Sequence, residues 1–149
     1  MRVEVTMEPG SLAEFEARCQ VAIRSIGNGA RYATEAACQE IMADSEIEVP
    51  KDTWTMMSSG FWEVHKRSDV GGSRFEGIIG YGGNGDPVNP KTGQAASTYM
   101  VALHEDLSKY HPNGKAKFLE DPVRRYAQGR FYRTIFDYAH ESLAFMGGK

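Results

Sequence analysis

The stretch that most constrains this chain is residues 99–126, YMVALHEDLSKYHPNGKAKFLEDPVRRY. Its first part reads as a strand. Tyr99, Val101 and Leu103 alternate with Met100, Ala102 and His104, and these residue types suit a pleated surface. Its last part reads as a helix: Pro122 suits a first helical turn, Asp121 before it can cap, and the apolar positions then take helical spacing. Between them lies His111-Pro112-Asn113-Gly114, in which Pro112 sets φ and Asn113-Gly114 tolerates φ > 0. The chain is expected to leave a sheet here, round a polar loop and enter its last helix.

The rest of the pattern agrees with a small α+β fold. Val3, Val5 and Met7 alternate with Arg2, Glu4 and Thr6, which predicts a short N-terminal strand ended by Pro9-Gly10. Ser11 then opens a helix, with Glu14 three residues later completing a capping box, and Leu12, Phe15, Cys19, Ala22, Ile23 and Ile26 form its apolar stripe. Gly27-Asn28-Gly29 is expected to kink this helix or to start a second one. Ala30, Ala33, Ala37, Ile41 and Ser45 continue as a stripe of small residues, read as tight packing on the sheet within one chain in preference to a helix face packed against a neighbouring subunit. Pro50 stops the second segment.

Trp54, Met56, Met57, Phe61 and Trp62 are too apolar for a free loop, and are either a lid on the core or an interface patch. Residues 61–68 and 75–81 predict two strands joined through Gly71-Gly72, a hairpin signal. Residues 82–97 are rich in Gly, Pro and Asn and predict a long irregular loop, an arm that becomes ordered on a partner. A third strand is expected over 97–105. The final helix is expected from about residue 122 to 145. Its buried face is Val123, Tyr126, Ala127, Phe131, Ile135, Tyr138 and Leu143, with Gly129 weakening its middle. Arg124, Arg125, Arg130 and Arg133 make a basic side, either a solvated face with ordinary ion pairs or a face that meets acidic neighbours or DNA. The expected architecture is a small, mainly antiparallel sheet packed by two N-terminal helical segments and a long C-terminal helix.

Composition removes several function classes. The 149 residues fit one domain, and 41% hydrophobic with 25% charged residues is enough for one core. A net charge of −3 gives no global basic field for nucleic acid. Cys19 and Cys38 form no C-x-x-C and read as reduced, buried residues. The N-terminus has no apolar signal-peptide core, and no run is long enough to span a membrane. His104, Glu105, Asp106 and His111 cluster in sequence, but neighbours on a strand point to opposite faces, so no metal site is expected. Ser58 and Ser59 sit in no elbow or triad motif, and Gly82-Gly83-Asn84-Gly85 lacks the Lys-Ser/Thr of a phosphate loop. Neither catalysis nor a cofactor is expected.

Two pieces of the chain carry a resemblance. His104-Glu105, Asn113-Gly114 and Lys117-Phe118-Leu119-Glu120, in that order before a C-terminal helix, resemble the end of a family of small tailed-bacteriophage proteins. These are minor capsid, tail-completion or neck proteins. Upstream, Val49-Pro50-Lys51-Asp52-Thr53 resembles the family's Val-Pro-x-Asp-Thr-Gly turn, with Trp54 where the family usually has Gly. The resemblance covers about residues 32–143. It implies a structural virion protein of the head-to-tail junction, assembled in the host cytoplasm as a ring, a hexamer. The ring would stack between a head-completion or connector protein and the tail tube or tail terminator, with DNA passing through its lumen. A tail terminator, a head-bound minor capsid protein, and a soluble small-molecule-binding domain without a virion role are the alternatives. The residues expected at interfaces are Trp54, Met56, Met57 and Trp62; Asn84, Asp86, Asn89 and Lys91 of the long loop; His104, Glu105, His111, Lys115 and Lys117 of the second loop; and Arg124 and Arg125.

Overall fold

A computed structural model describes residues 10–69, 72–83, 85–111 and 113–147. Among them the order is α1 (Ser11–Glu48), α2 (Thr55–Ser58), β1 (Phe61–Asp69), β2 (Gly72–Gly80), α3 (Ala96–Glu105), α4 (Glu120–Gly129) and α5 (Phe131–Gly147). The protein is α+β, with helices set against a two-stranded antiparallel sheet. The strand expected at residues 2–7 and the hairpin tip, residues 70 and 71, lie outside the described residues.

α1 is one continuous helix of 38 residues, not two segments. Two interior glycines cost about 2 kcal/mol relative to alanine. Packing along the rest of the helix exceeds that cost: Gly29, Ala33, Ala37, Cys38 and Met42 are buried, and both the sheet and α5 lie on α1. Gly10, not Ser11, holds the N-cap position, in the left-handed conformation, φ 96, and the Glu14 carboxylate accepts from Arg18.

The hairpin forms as the alternation predicts. β1 and β2 pair from Phe61 opposite Gly80 to Asp69 opposite Gly72. Trp62, Val64 and Lys66 therefore share a face with Phe75, Gly77 and Ile79. α1 crosses this face closely enough that a Cβ on Gly77 would stand 2.5 Å from Cys38 Sγ. The small residues of α1 thus pack within the chain.

Residues 96–105 are a helix, α3, and not the third strand that the sequence pattern predicts. The two periodicities share Tyr99 and Leu103 and differ at the positions between them. Ala96 is buried and Tyr99, Met100 and Leu103 pack on the core, a helical i, i+3, i+4, i+7 face, while Val101 is turned to solvent. The core is Met42, Val49, Met56, Tyr81, Ala96 and Phe118. Tyr81 and Phe118 meet edge to face at 5.3 Å, and the Tyr81 hydroxyl shares a buried 2.8 Å hydrogen bond with Ser45 Oγ. Burial pushes the Tyr81 phenol up to about 12, so it stays neutral.

The long loop before α3 is tied to its own chain. The Gly82 amide donates to Ser59 Oγ, the Ser97 amide and hydroxyl donate to the Asp86 carboxylate, and Val88 bridges Ala95. Its order does not require a partner. The last helix is two helices, broken at Arg130, where φ is −117. Gly129 marks the break. Leu119, not Asp121, occupies the N-cap of α4.

Candidate functional site

The chain between α3 and α4 crosses the C-terminal end of α1, and His104, Glu105, His111, Lys115, Lys117, Arg124 and Arg125, seven of the fifteen sequence-predicted interface residues, gather there. Four backbone features put it in place. Asn113 takes the left-handed conformation, φ 52, as the turn signal predicts. Gly114 then lies against the backbone of Glu48 and Pro50. The Lys115 amide donates to the Glu48 carbonyl at 2.9 Å, and the Lys117 amide to the His104 carbonyl at 2.8 Å. The segment thereby closes the carbonyl ends of α1 and α3, which otherwise lack intrahelical donors.

Two ion networks cover this junction. In the first, Lys117 Nζ lies between Glu105 and Glu120, and Arg124 pairs with Glu120. His104 sits beside it, on the edge of Phe118 at 4.9 Å. Its Nε2 accepts the Glu120 amide at 3.3 Å, so the proton is assigned to Nδ1, which donates to Glu105 at 2.7 Å. His104 therefore caps α4 from outside the helix. In the second network Lys115 pairs with Glu48 at 3.0 Å and Asp121 at 2.8 Å, and Arg125 pairs with Glu48 at 2.7 Å. His111 Nε2 donates to the Leu103 carbonyl at 2.8 Å.

These contacts shift the carboxyl groups in one direction. Lys117, with His104 second, holds Glu105 below the usual carboxylate range; Lys117 likewise lowers Glu120, and Lys115 lowers Asp121. The same bonds raise Lys115 and Lys117. A carboxyl whose folded pKa lies below its unfolded value contributes stability above the unfolded value, about 4, and loses it as pH falls through the folded one. Unfolding midpoints should therefore fall as pH drops below about 4. Lys117→Met, which leaves Glu105 and Glu120 without their shared cation, should be less stable than the parent at pH 7. That gap should narrow as pH falls below about 4, and a gap that stays constant across the titration would contradict the network.

The remaining candidates fall elsewhere. Lys91 pairs with Asp52, Asn89 Oδ1 accepts the Lys91 amide, and Asp86 is lowered by the Ser97 hydroxyl and amide, all within the chain. Asn84 lies outside the described residues. Met56 is 2% exposed and belongs to the core, which corrects its reading as an interface residue; Met57 packs against that core from its edge. Trp54 is 58% exposed, whereas Trp62, 38% exposed, lies on the sheet face that α1 crosses, beside Gln39, Ala43 and Glu46. Trp54 has φ 62. That is the left-handed region a glycine enters without strain.

No family model, curated protein or solved structure matches this chain.

The geometry must then speak for itself. Among the described residues no group of three or more His, Cys, Asp or Glu side chains is placed to hold a metal, and no helix is long and apolar enough to cross a membrane. Arg124, Arg125 and Arg130 are each paired with an acidic residue of the same chain. Two features escaped the sequence reading. Glu40, Asp44 and Glu48 stand four apart on α1 and receive Arg130 and Arg125; their spacing was the available signal. The other is the exposure of apolar side chains on α1 and α5: Phe15 and Ile23, read above as part of the apolar stripe of α1, are 63% and 61% exposed, and Tyr132 and Phe136 of α5 are 81% and 68% exposed.

Proposed function

We propose that this chain is a structural virion protein at the head-to-tail junction of a tailed phage, a ring subunit that joins the connector to the tail. The observation that carries the reading is the exposed apolar surface of α1 and α5, which a subunit buries only in an assembly. It is supported by the ordered motifs at residues 49–53 and 104–120. The mechanism is geometric. The core and ion networks make each subunit a stiff wall, and ring closure uses one face docking on a different face of the next copy. A hexamer between the connector and the tail tube or terminator, with DNA in its lumen, is the assembly this implies. Placement as a tail terminator or head-bound minor capsid protein uses the same surfaces.

Electron cryo-microscopy of intact particles, focused on the neck, tests the placement: a ring of this chain there is the expected result, and a neck filled by other chains sinks it. The surface has its own test. The double variant Tyr132→Asp/Phe136→Asp should change stability by no more than about 1 kcal/mol, since both side chains are exposed. It should abolish self-association in sedimentation. Undiminished association would remove α5 from the interface. One feature favours a small-molecule-binding domain instead, an apolar groove of about 490 Å³ beside β2, and absence of the chain from particles would turn attention to it.

A further inference from the structure

We propose that His104 is a proton switch between two helix ends: uncharged, it closes the first turn of α4, and charged, it releases that turn and serves the end of α3 instead. Glu120 is the first residue of α4, so its amide has no acceptor within the helix. The N-cap residue is Leu119, whose side chain cannot accept a hydrogen bond. His104 Nε2 supplies the missing acceptor, 3.3 Å from that amide, while Nδ1 donates to Glu105 at 2.7 Å. Only the uncharged ring can do both. An imidazolium carries N–H on each nitrogen and accepts at neither. Protonation therefore sets two N–H groups against each other across that contact, and the Glu120 amide loses its acceptor.

The groups around the ring decide what the charged form gains. His104 lies in the last turn of α3, where the helix dipole favours a cation, and beside the first turn of α4, where it disfavours one. Glu105 of α3 is held below the usual carboxylate range by Lys117 first and His104 second, so it stays ionised and keeps the Nδ1 bond in both states. Lys117, on the segment between the helices, opposes a second cation and shares Glu105 with the ring. The Glu120 carboxylate of α4 attracts one, but it is already paired with Lys117 and Arg124. On the core side the ring meets Phe118 edge to face at 4.9 Å. It also lines a cavity of about 200 Å³ with Ile79 and Gly80 of β2, which carry no charge, and Tyr81, whose phenol is pushed up to about 12 and stays neutral. The His104 side chain is 18% exposed, so a proton reaches it without unfolding.

Release has a defined reach. Glu120 and Asp121 make the first turn of α4, and they hold Lys117, Arg124 and Lys115. Freeing that turn loosens both ion networks together. The ladder of β1 and β2 holds by its own backbone pairs and serves as the internal reference. The switch is a property of the folded chain, whatever it assembles with.

Nuclear magnetic resonance on the isotope-labelled full chain tests the switch. The ring nitrogen shifts of His104 report its tautomer and its titration, and hydrogen exchange reports the Glu120 amide. Above the ring titration the parent should carry its proton on Nδ1 and protect the Glu120 amide. Through the titration that amide should shift with the midpoint of the ring and lose protection roughly tenfold, the size expected for loss of a cap, while the amides of β1 and β2 stay protected. His104→Gln has an acceptor oxygen and no charge to gain, so its Glu120 amide should keep one level of protection through the same pH range. The Glu120 carboxyl, held low by Lys117, titrates at lower pH and is told apart by its own midpoint. A proton on Nε2 above the titration overturns the proposal, as does a ring that titrates while the Glu120 amide keeps its protection. A His104→Gln amide that follows the parent's midpoint overturns it as well. The first two readings need only the parent chain, so a variant that folds poorly leaves the test intact.

Discussion

Phe118→Ala is expected to lower the unfolding free energy by about 3–5 kcal/mol. Phe118 is 1% exposed and is the largest fully buried side chain. Its ring meets Tyr81 at 5.3 Å and His104 at 4.9 Å, both edge to face, so truncation removes two aromatic contacts as well as apolar burial. The site cannot collapse easily. Lys117 on one side has φ 58, and the loop before it is hydrogen-bonded to the ends of α1 and α3. A loss of this size is a large share of the 5–15 kcal/mol typical of a domain. In a domain of this length it lowers the thermal midpoint by roughly 10 °C. Denaturant unfolding at constant m-value measures it. A change below about 1 kcal/mol would mean that Phe118 is not at the centre of the core, and would remove the present account of how α1, α3 and α4 are joined.

How much of this was legible in the sequence differs element by element, for physical reasons. The hairpin was legible because alternation, β-branched and aromatic residues and Gly71-Gly72 all point to it. α3 was not. Tyr99 and Leu103 satisfy strand and helix templates alike, and the arbiter, burial of Met100 and Ala96 against exposure of Val101, is tertiary. The continuity of α1 was hidden for the same reason. A glycine pair is a local penalty, while the packing that offsets it comes from α5 and the sheet.

The candidate site was half legible. His104, Glu105, Lys115, Lys117, Arg124 and Arg125 do meet at one junction, yet their partners are chiefly residues of their own chain. Their arrangement makes that junction rigid. The apolar side chains exposed on α1 and α5 then carry the proposed assembly surface.

Gly114 shows how a residue can be placed rightly for an incomplete reason. The turn signal assigns it a tolerance for positive φ, but in the structure Asn113 takes that conformation and Gly114 answers to a close approach. A Cβ at position 114 would stand 2.6 Å from the Pro50 nitrogen and 2.7 Å from both the Glu48 oxygen and the Pro50 Cα. All three are backbone atoms at the end of a helix, so none can rotate away. Gly114→Ala must lift the loop. That breaks the 2.9 Å bond from the Lys115 amide to the Glu48 carbonyl and draws Lys115 away from Glu48 and Asp121. Overpacking costs about 1–3 kcal/mol and the lost hydrogen bond about 1, so a loss of roughly 2–4 kcal/mol is expected. Gly27→Ala is the matched control. Nothing lies within 4 Å of its added Cβ, and it sits inside α1, so the same substitution should stabilise by up to about 1 kcal/mol. Opposite signs from one chemical change would locate the effect in the contact between residue 114 and Pro50. Equal signs would mean that the loop does not rest on the end of α1, and the two ion networks built on that contact would lose their footing.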